Sequence, residues 1–323
     1  MSSTVMNLSR RRFSDRRRLI GQCGLPLLVI AIAVATGLVE PRFWSWANLQ
    51  NLARQLAPLQ ILVAGQLFAV LSGGLDLSVA SVMALSGVVG IVAVPHVGLV
   101  GGVVVMMLCG IGFGLANGAI ITAFSVSPLI VTLGMLSVAK GLALLATGGL
   151  PIYDVPEPLI DAVGFGAVLG VPVSSLIAVA IMLLGAVILR ATIFGRHVYA
   201  VGSNAAAAHN SGVRTRRVTL AVYAISGFAA GCAAIVMTAW VSAAQPLAGE
   251  GLELQSLAAV VVGGVALAGG AGTMLQAFFG VLILGLLSNA LNMAGVSSFL
   301  QTLVVGLVIL LAVIVDRLRG SKG

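Results

Sequence analysis

The sequence predicts an all-α integral membrane protein of about ten transmembrane helices, on three observations. Of 323 residues only 8% are charged and 59% are hydrophobic, against about 25% charged in soluble globular chains. The mean hydropathy is +1.15, which leaves too little polar surface to cover the apolar mass in water, so the surrounding solvent is lipid. The basic residues gather in clusters separated by long apolar runs, as they do in membrane proteins that keep Lys and Arg in cytoplasmic loops.

A bilayer core of about 30 Å takes about 20 mostly apolar residues per helix. Laid along the chain, that length gives ten windows: Leu19–Val39, Leu56–Ser72, Leu77–Val94, Leu99–Ala123, Leu129–Thr147, Val171–Leu189, Val218–Trp240, Leu254–Ala268, Thr273–Met293 and Phe299–Val315. Glycine, 41 residues in all, and other small residues abound in them. Close helix packing in lipid needs such residues, because no hydrophobic drive brings helices together there.

The first window is preceded by Arg10, Arg11, Arg12, Arg16, Arg17 and Arg18. Arg190, Arg196, Arg214, Arg216 and Arg217 fall mid-chain, and Arg317, Arg319 and Lys322 close it, together 14 of the 17 basic residues. With the N-terminus inside, ten spans bring all three clusters to the cytoplasmic face. The opposite face receives Glu40, Asp154, Glu157, Asp161, Glu250 and Glu253 with only Arg42 and Arg54. The net charge of +8 is thus a matter of topology, and nucleic-acid binding is set aside. Residues 1–18 read as a basic cytoplasmic tail, 19–316 as the membrane domain and 317–323 as a second cytoplasmic tail. Ser9-Arg10-Arg11-Arg12-Phe13 resembles a twin-arginine export signal. The apolar run behind it is long and followed by others of the same kind, so the reading is an uncleaved first span.

Two loops are long. Residues 148–170, on the outer side, carry Pro151, Tyr153, Asp154, Pro156, Glu157, Pro158 and Asp161, a turn-rich acidic segment that is either a connector or a docking surface. Residues 194–217, on the inner side, contain a short helix from Asn204 to Ser211 stopped by Gly212. A faint internal echo joins Ala69–Gly74 to Ala259–Gly264, and Gly114–Asn117 with Val126–Leu129 to Gly285–Asn289 with Val296–Phe299. In ten-span topology it amounts to an inverted repeat, although Gly/Ala/Val/Leu composition alone also produces such echoes.

Several chemistries are missing. There is no GxxxxGK[ST] phosphate loop, and Lys140 and Lys322 are the only lysines, so this chain does not hydrolyse ATP by that route. Cys23, Cys109 and Cys232 lie in apolar runs without CxxC spacing, and His96, His197 and His209 form no catalytic or zinc-binding group. No catalytic residue and no metal ligand is expected. Only Asp76 and Lys140 fall at membrane depth, which disfavours an ion-driven carrier.

Asp76 follows a glycine pair, Gly73-Gly74, that breaks one span before the next begins. It reads either as a helix N-cap or as a gating or pathway group. Lys140 either points inward or snorkels to an interface. Gln66, Asn117, Gln245, Ser288, Asn289, Asn292 and Gln301 are polar groups that either line a hydrophilic path or join helices by hydrogen bonds. Gly73, Gly74, Asp76, Asn117, Gln245, Asn289 and Asn292 form the candidate gating and pathway set.

Leu71-Ser72-Gly73-Gly74-Leu75-Asp76-Leu77-Ser78-Val79 resembles a motif of the permease subunits of sugar-importing ABC transporters of the ribose, xylose and galactose type. Further matches follow in order, nearly to the end of the chain. They include residues 128–134 (PLIVTLG), 194–204 (FGRHVYAVGSN), 211–213 (SGV), 242–246 (SAAQP) with Gly249, 262–264 (VGG), 269–273 (GGAGT), 289–292 (NALN) and 295–298 (GVSS).

The resemblance implies a ten-helix type II importer permease in a bacterial inner membrane, with both termini cytoplasmic. It implies a second permease, a copy or a paralogue, two cytoplasmic ATPase domains and a periplasmic sugar-binding protein. No cofactor is then held by this chain, since ATP and Mg belong to the ATPase. Gly195, Arg196, Asn204, Ala207, Ser211 and Gly212 are implied to couple the permease to that ATPase. One departure stands out: Ala205 and Ala206 occupy positions where many relatives carry acidic residues. The substrate implied is a monosaccharide. Another small polar solute (a nucleoside, a furanosyl signal or a branched-chain amino acid), a passive pore or a scaffold are the alternatives.

Overall fold

The computed structural model describes residues 24–297 and, beyond them, positions 299–301, 303, 304, 306, 307, 310 and 314. The basic tails read at 1–18 and 317–323 lie outside the described residues, as does the start of the first window.

Helix α1, Gly24–Val39, leads into a 3-10 turn at Pro41–Trp44. Ser45 then caps α2, Trp46–Leu71, its hydroxyl accepting the Asn48 N–H. This helix begins ten residues before the window Leu56–Ser72, because polar residues such as Asn48, Gln50 and Arg54 hide its first turns from a hydropathy reading. Every residue from Leu56 to Leu71 is buried. A helix apolar on all sides is a core element, and α2 is the post around which the others stand.

Helix α3, Val79–Phe124, is two arms broken at Gly98, where φ is 73° and ψ is 174°. Gly90 faces Met106 and Gly102 faces Val94. These pairs are symmetric about position 98, so the arms fold back as an antiparallel hairpin, and the windows Leu77–Val94 and Leu99–Ala123 are its two limbs. Then come α4, Pro128–Thr147, and α5, Val173–Ala191. Between them two short helical turns, Glu157–Leu159 and Ile160–Gly164, precede a small hairpin in which β1, Ala167–Val168, pairs with β2, Val171–Pro172.

Two helices follow where a single short one is expected: α6, Ile193–Ser203, and α7, Ala205–Asn210. Helix α8, Thr215–Val241, returns through the bundle. Its Gly227 and Gly231 meet Gly110 and Gly114 of α3 backbone to backbone, and Gly118 sits against Leu220. Small residues four apart allow that approach, which is why the second arm of α3 and α8 pack so closely.

The window Leu254–Ala268 is corrected. Helix α9, Leu252–Val262, has 11 residues, about 16 Å at 1.5 Å per residue, half of what a bilayer core requires. Gly263 and Gly264 stop it, Gly264 at φ +81°, and the apolar residues up to Ala268 descend as non-helical chain. Helix α10, Met274–Met293, then matches its window. Among the described residues, six helices are long and apolar enough to cross a membrane: α2, α3, α4, α5, α8 and α10. The chain is therefore an all-α, multi-pass membrane protein.

The bundle has two chemically distinct ends. At one, the α2 terminus, α6 and the segment after α9 meet, and Arg190, Arg196, Arg214, Arg216 and Arg217 gather. At the other, Gln50 Nε2 donates to the Gly170 carbonyl at 2.7 Å, Arg54 Nη2 to the Phe165 carbonyl at 3.2 Å, and Ile152 bridges to Ala244. That second end carries the acidic loops. The echo between Ala69–Gly74 and Ala259–Gly264 has a structural counterpart: both segments end a helix on a left-handed glycine, Gly73 at φ +84° and Gly264 at φ +81°.

Candidate functional site

At the basic end, Thr192 turns the chain from α5 into α6, its hydroxyl donating to the Ile188 carbonyl at 2.6 Å and accepting the Gly195 N–H at 3.0 Å. Gly195 lies against the carbonyls of Ile188 and Leu189, where a side chain has no room. Asn204 caps α7, its Oδ1 accepting the Ala207 N–H at 2.9 Å. Gly212, at φ +88°, ends it, with Gly212 N donating to the His209 carbonyl and Val213 N to that of Ala208. This is the hydrogen-bonded reversal that a left-handed glycine permits. Arg196, Asn204, Ala207, Ser211 and Gly212 are exposed while Gly195 is buried. Five of the six candidate coupling residues thus lie on the accessible surface of this end.

Behind that face, α6 is fixed to the bundle through backbone. The Leu71 carbonyl, at the end of α2, accepts the Gly270 N–H at 3.0 Å and abuts Gly202. A methyl group on Gly269 would lie 2.9 Å from the Gly73 nitrogen and 3.0 Å from the Gly202 carbonyl. The Tyr199 hydroxyl donates to the Gly272 carbonyl at 2.8 Å. Burial pushes the Tyr199 phenol above its ordinary pKa, against an opposing pull from Arg190, so at neutral pH it remains a protonated donor. Sequence reading missed Tyr199 and Gly202, whose importance lies in a contact some 70 residues along the chain.

Deeper in the bundle, Asp76 is 2% exposed. One carboxylate oxygen accepts the Ser78 N–H at 3.0 Å and the Ser78 hydroxyl at 2.6 Å, the other the Ser226 hydroxyl at 2.7 Å. Asn117 Nδ2 donates to the Ser78 hydroxyl at 2.9 Å, and the Tyr223 hydroxyl to the Leu75 carbonyl at 3.1 Å. The α2–α3 turn is thereby tied to the second arm of α3 and to α8. Helix α3 starts at Val79, so Asp76 holds the turn before the helix and not the helical N–H groups themselves. A side chain on Gly74 would meet the Tyr223 hydroxyl at 2.5 Å.

The other pathway candidates stand elsewhere. Asn289 and Asn48 exchange amide hydrogen bonds at 3.2 and 3.4 Å near the acidic end. Gln245 is half-buried in the loop after α8, and Asn292 is exposed. Thus Gly73, Gly74, Asp76 and Asn117 are brought together, whereas Gln245, Asn289 and Asn292 are not. Near the acidic end, Lys140 Nζ and Glu250 Oε1 form an ion pair of 2.7 Å. Glu250 also borders a cavity of about 230 Å³ between α2, α8, α9 and α10. Of its polar walls, sequence reading found Ser288 and missed Gln55, Trp240 and Gln255, single polar positions without a motif around them.

Residues 48–313 match a family profile described as "Branched-chain amino acid transport system / permease component". The ribose import permease protein RbsC of Haemophilus influenzae is 36% identical, covering 98% of this chain and 99% of that protein. That of Bacillus subtilis is 39% identical over 92% of each chain. The chain belongs to this import-permease family. The L-arabinose transport system permease protein AraH of Escherichia coli is also similar, at 32% identity over 94% of this permease and 92% of its own length. No solved structure matches. The backbone junction at Gly202, Leu71 and Gly270 is therefore a feature of an import permease.

Proposed function

We propose that this permease is the membrane subunit of an ATP-driven importer that moves a monosaccharide, pentose- or hexose-like, across a bacterial inner membrane. Its termini and basic end face the cytoplasm, in keeping with the positive-inside distribution of Arg. It pairs with a second permease, a copy or a paralogue. The exposed face from Arg196 to Gly212 seats on a cytoplasmic ATPase that brings ATP and Mg, and the acidic end receives a periplasmic sugar-binding protein. The observation that carries this reading is near-full-length similarity to ribose and arabinose permeases.

Transport follows alternating access. Closure of the ATPase pair displaces α6 and α7. The backbone junction passes that displacement to the end of α2 and to residues 269–272, and the two states differ in which contacts they keep. Purification from the native membrane in mild detergent, followed by native mass spectrometry, tests the assembly. Two permease chains with two ATPase domains are expected, and a chain that emerges alone even after cross-linking at residues 196–214 overturns the reading.

The description of the matching family favours one second reading, a branched-chain amino acid as the solute. Uptake of ribose, arabinose and leucine by the reconstituted complex separates the two.

A further inference from the structure

The cavity between α2, α8, α9 and α10 measures about 230 Å³, whereas about 10–15 Å³ suffices for one water. Its walls are chemically mixed. Gln55 from α2, Gln255 from α9 and Ser288 from α10 contribute two amides and a hydroxyl, Trp240 from α8 contributes an indole, and Glu250 stands at the rim. Pro58 also lines it. Having no N–H, Pro58 cannot donate the usual helical hydrogen bond to the Arg54 carbonyl one turn back.

Amides and hydroxyls that both donate and accept match a solute whose own hydroxyls do the same. An indole covers the apolar C–H face of such a solute while its N–H stays available. A carboxylate-bearing solute fits poorly. No cation is among the residues that line it; Arg54, beside Gln55, donates to the Phe165 carbonyl at 3.2 Å, Lys140 is held by Glu250 at 2.7 Å, and the N–H of Gly251 at the start of α9 already binds the Glu253 carboxylate at 3.1 Å.

We propose that this chamber is a solute-binding site contained within one permease subunit, taking a single neutral polyhydroxylated molecule of monosaccharide size. The proposal rests on the importer reading above and assigns it a resting place for the solute. A second observation supports it. Gln66 is fully buried and neither of its amide atoms has a partner. By helical periodicity Gln55, Leu59, Leu62 and Gln66 share one face of α2, so Gln66 is the next amide along the face that forms the chamber wall, about 10 Å beyond Leu59.

The test is saturation-transfer NMR on the full-length chain in lipid nanodiscs, with D-ribose, L-arabinose and leucine as probes. One or both sugars should give saturable transfer and leucine none. Gln255→Leu should weaken the sugar response about tenfold, the loss of one well-placed hydrogen bond, with partial recovery in Gln255→Asn. Ser288→Phe should abolish it by filling the chamber, and the milder Ser288→Ala should weaken it only a few-fold. Sugar responses that are absent, or unchanged in Gln255→Leu and Ser288→Phe, overturn the chamber. Uptake by the assembled transporter, measured in parallel, separates the two readings. Sugar uptake that ignores all these variants overturns the chamber and leaves the importer standing, whereas intact saturation transfer without ATP-dependent sugar uptake overturns the importer.

Discussion

Gly202 and Leu71 meet backbone to backbone: the Leu71 carbonyl oxygen lies where a Gly202 side chain would be, and it also accepts the Gly270 N–H at 3.0 Å. Side-chain contacts can slide, but a peptide clamped between two others cannot, so α6, the end of α2 and the segment after α9 move as one piece. Gly202→Ala should therefore cost about 1–3 kcal/mol through overpacking, read as a lower melting temperature in detergent. In the assembled transporter it should depress transport more than ATP hydrolysis.

Tyr199→Phe probes the same junction more gently. It removes only the hydroxyl that donates to Gly272 at 2.8 Å, worth about 0.5–1.5 kcal/mol, and leaves the ring in place. Solute moved per ATP hydrolysed should fall while the folded yield and the hydrolysis rate stay near wild type. An unchanged ratio would assign Tyr199 to packing alone.

How much of this was legible in the sequence depends on the range of the interactions involved. Local rules sufficed for the seven windows that fall on α2, the two arms of α3, α4, α5, α8 and α10, and for the stop at Gly212, since apolar runs and a left-handed glycine are one-dimensional signals. The eighth window failed because Val265 to Ala268 are as apolar as a helix but follow Gly263-Gly264, which stops one. Asp76 was visible as an acid after a glycine pair, yet its tie to Ser226, 150 positions away, depends on how α8 crosses the α2–α3 turn. Gln55, Trp240 and Gln255 form a chamber only through tertiary packing, and no spacing in the chain announces it.

Asp76 is held by neutral donors from Ser78 and Ser226, so its part in the fold is positional. Asp76→Ala strands three buried donors and should cost about 2–4 kcal/mol, seen as reduced folded protein in the membrane. Asp76→Asn keeps an acceptor oxygen and should lose less than half as much. Transport by the Asn variant should stay near wild type, and a stable but inactive Asp76→Asn chain would show that the carboxylate itself takes part in the cycle.

The Lys140–Glu250 pair is largely exposed, with 37% and 62% of the side chains accessible, so its contribution to stability is about 0–1 kcal/mol. Its position matters more, because it ties α4 to the loop that borders the chamber. Lys140→Met should leave the melting temperature within a few degrees of wild type. It should alter the solute concentration at which transport half-saturates, and Lys140→Arg should restore that value.

Gly212 tests the proposed coupling face with little disturbance to packing. Nothing lies within 4 Å of where its side chain would be, and its φ is +88°. A β-branched residue there meets only the backbone cost of the left-handed region, about 1–2 kcal/mol. That cost is relieved if the end of α7 rewinds, which shifts Ser211 and Gly212 relative to Asn204. Gly212→Val should thus yield a chain that folds and assembles with the proposed ATPase, which then hydrolyses ATP without matching transport. Gly212→Asn, which tolerates positive φ, should recover much of the transport. If Gly212→Val transports like wild type in an intact complex, the exposed face from Arg196 to Gly212 does not couple the two subunits.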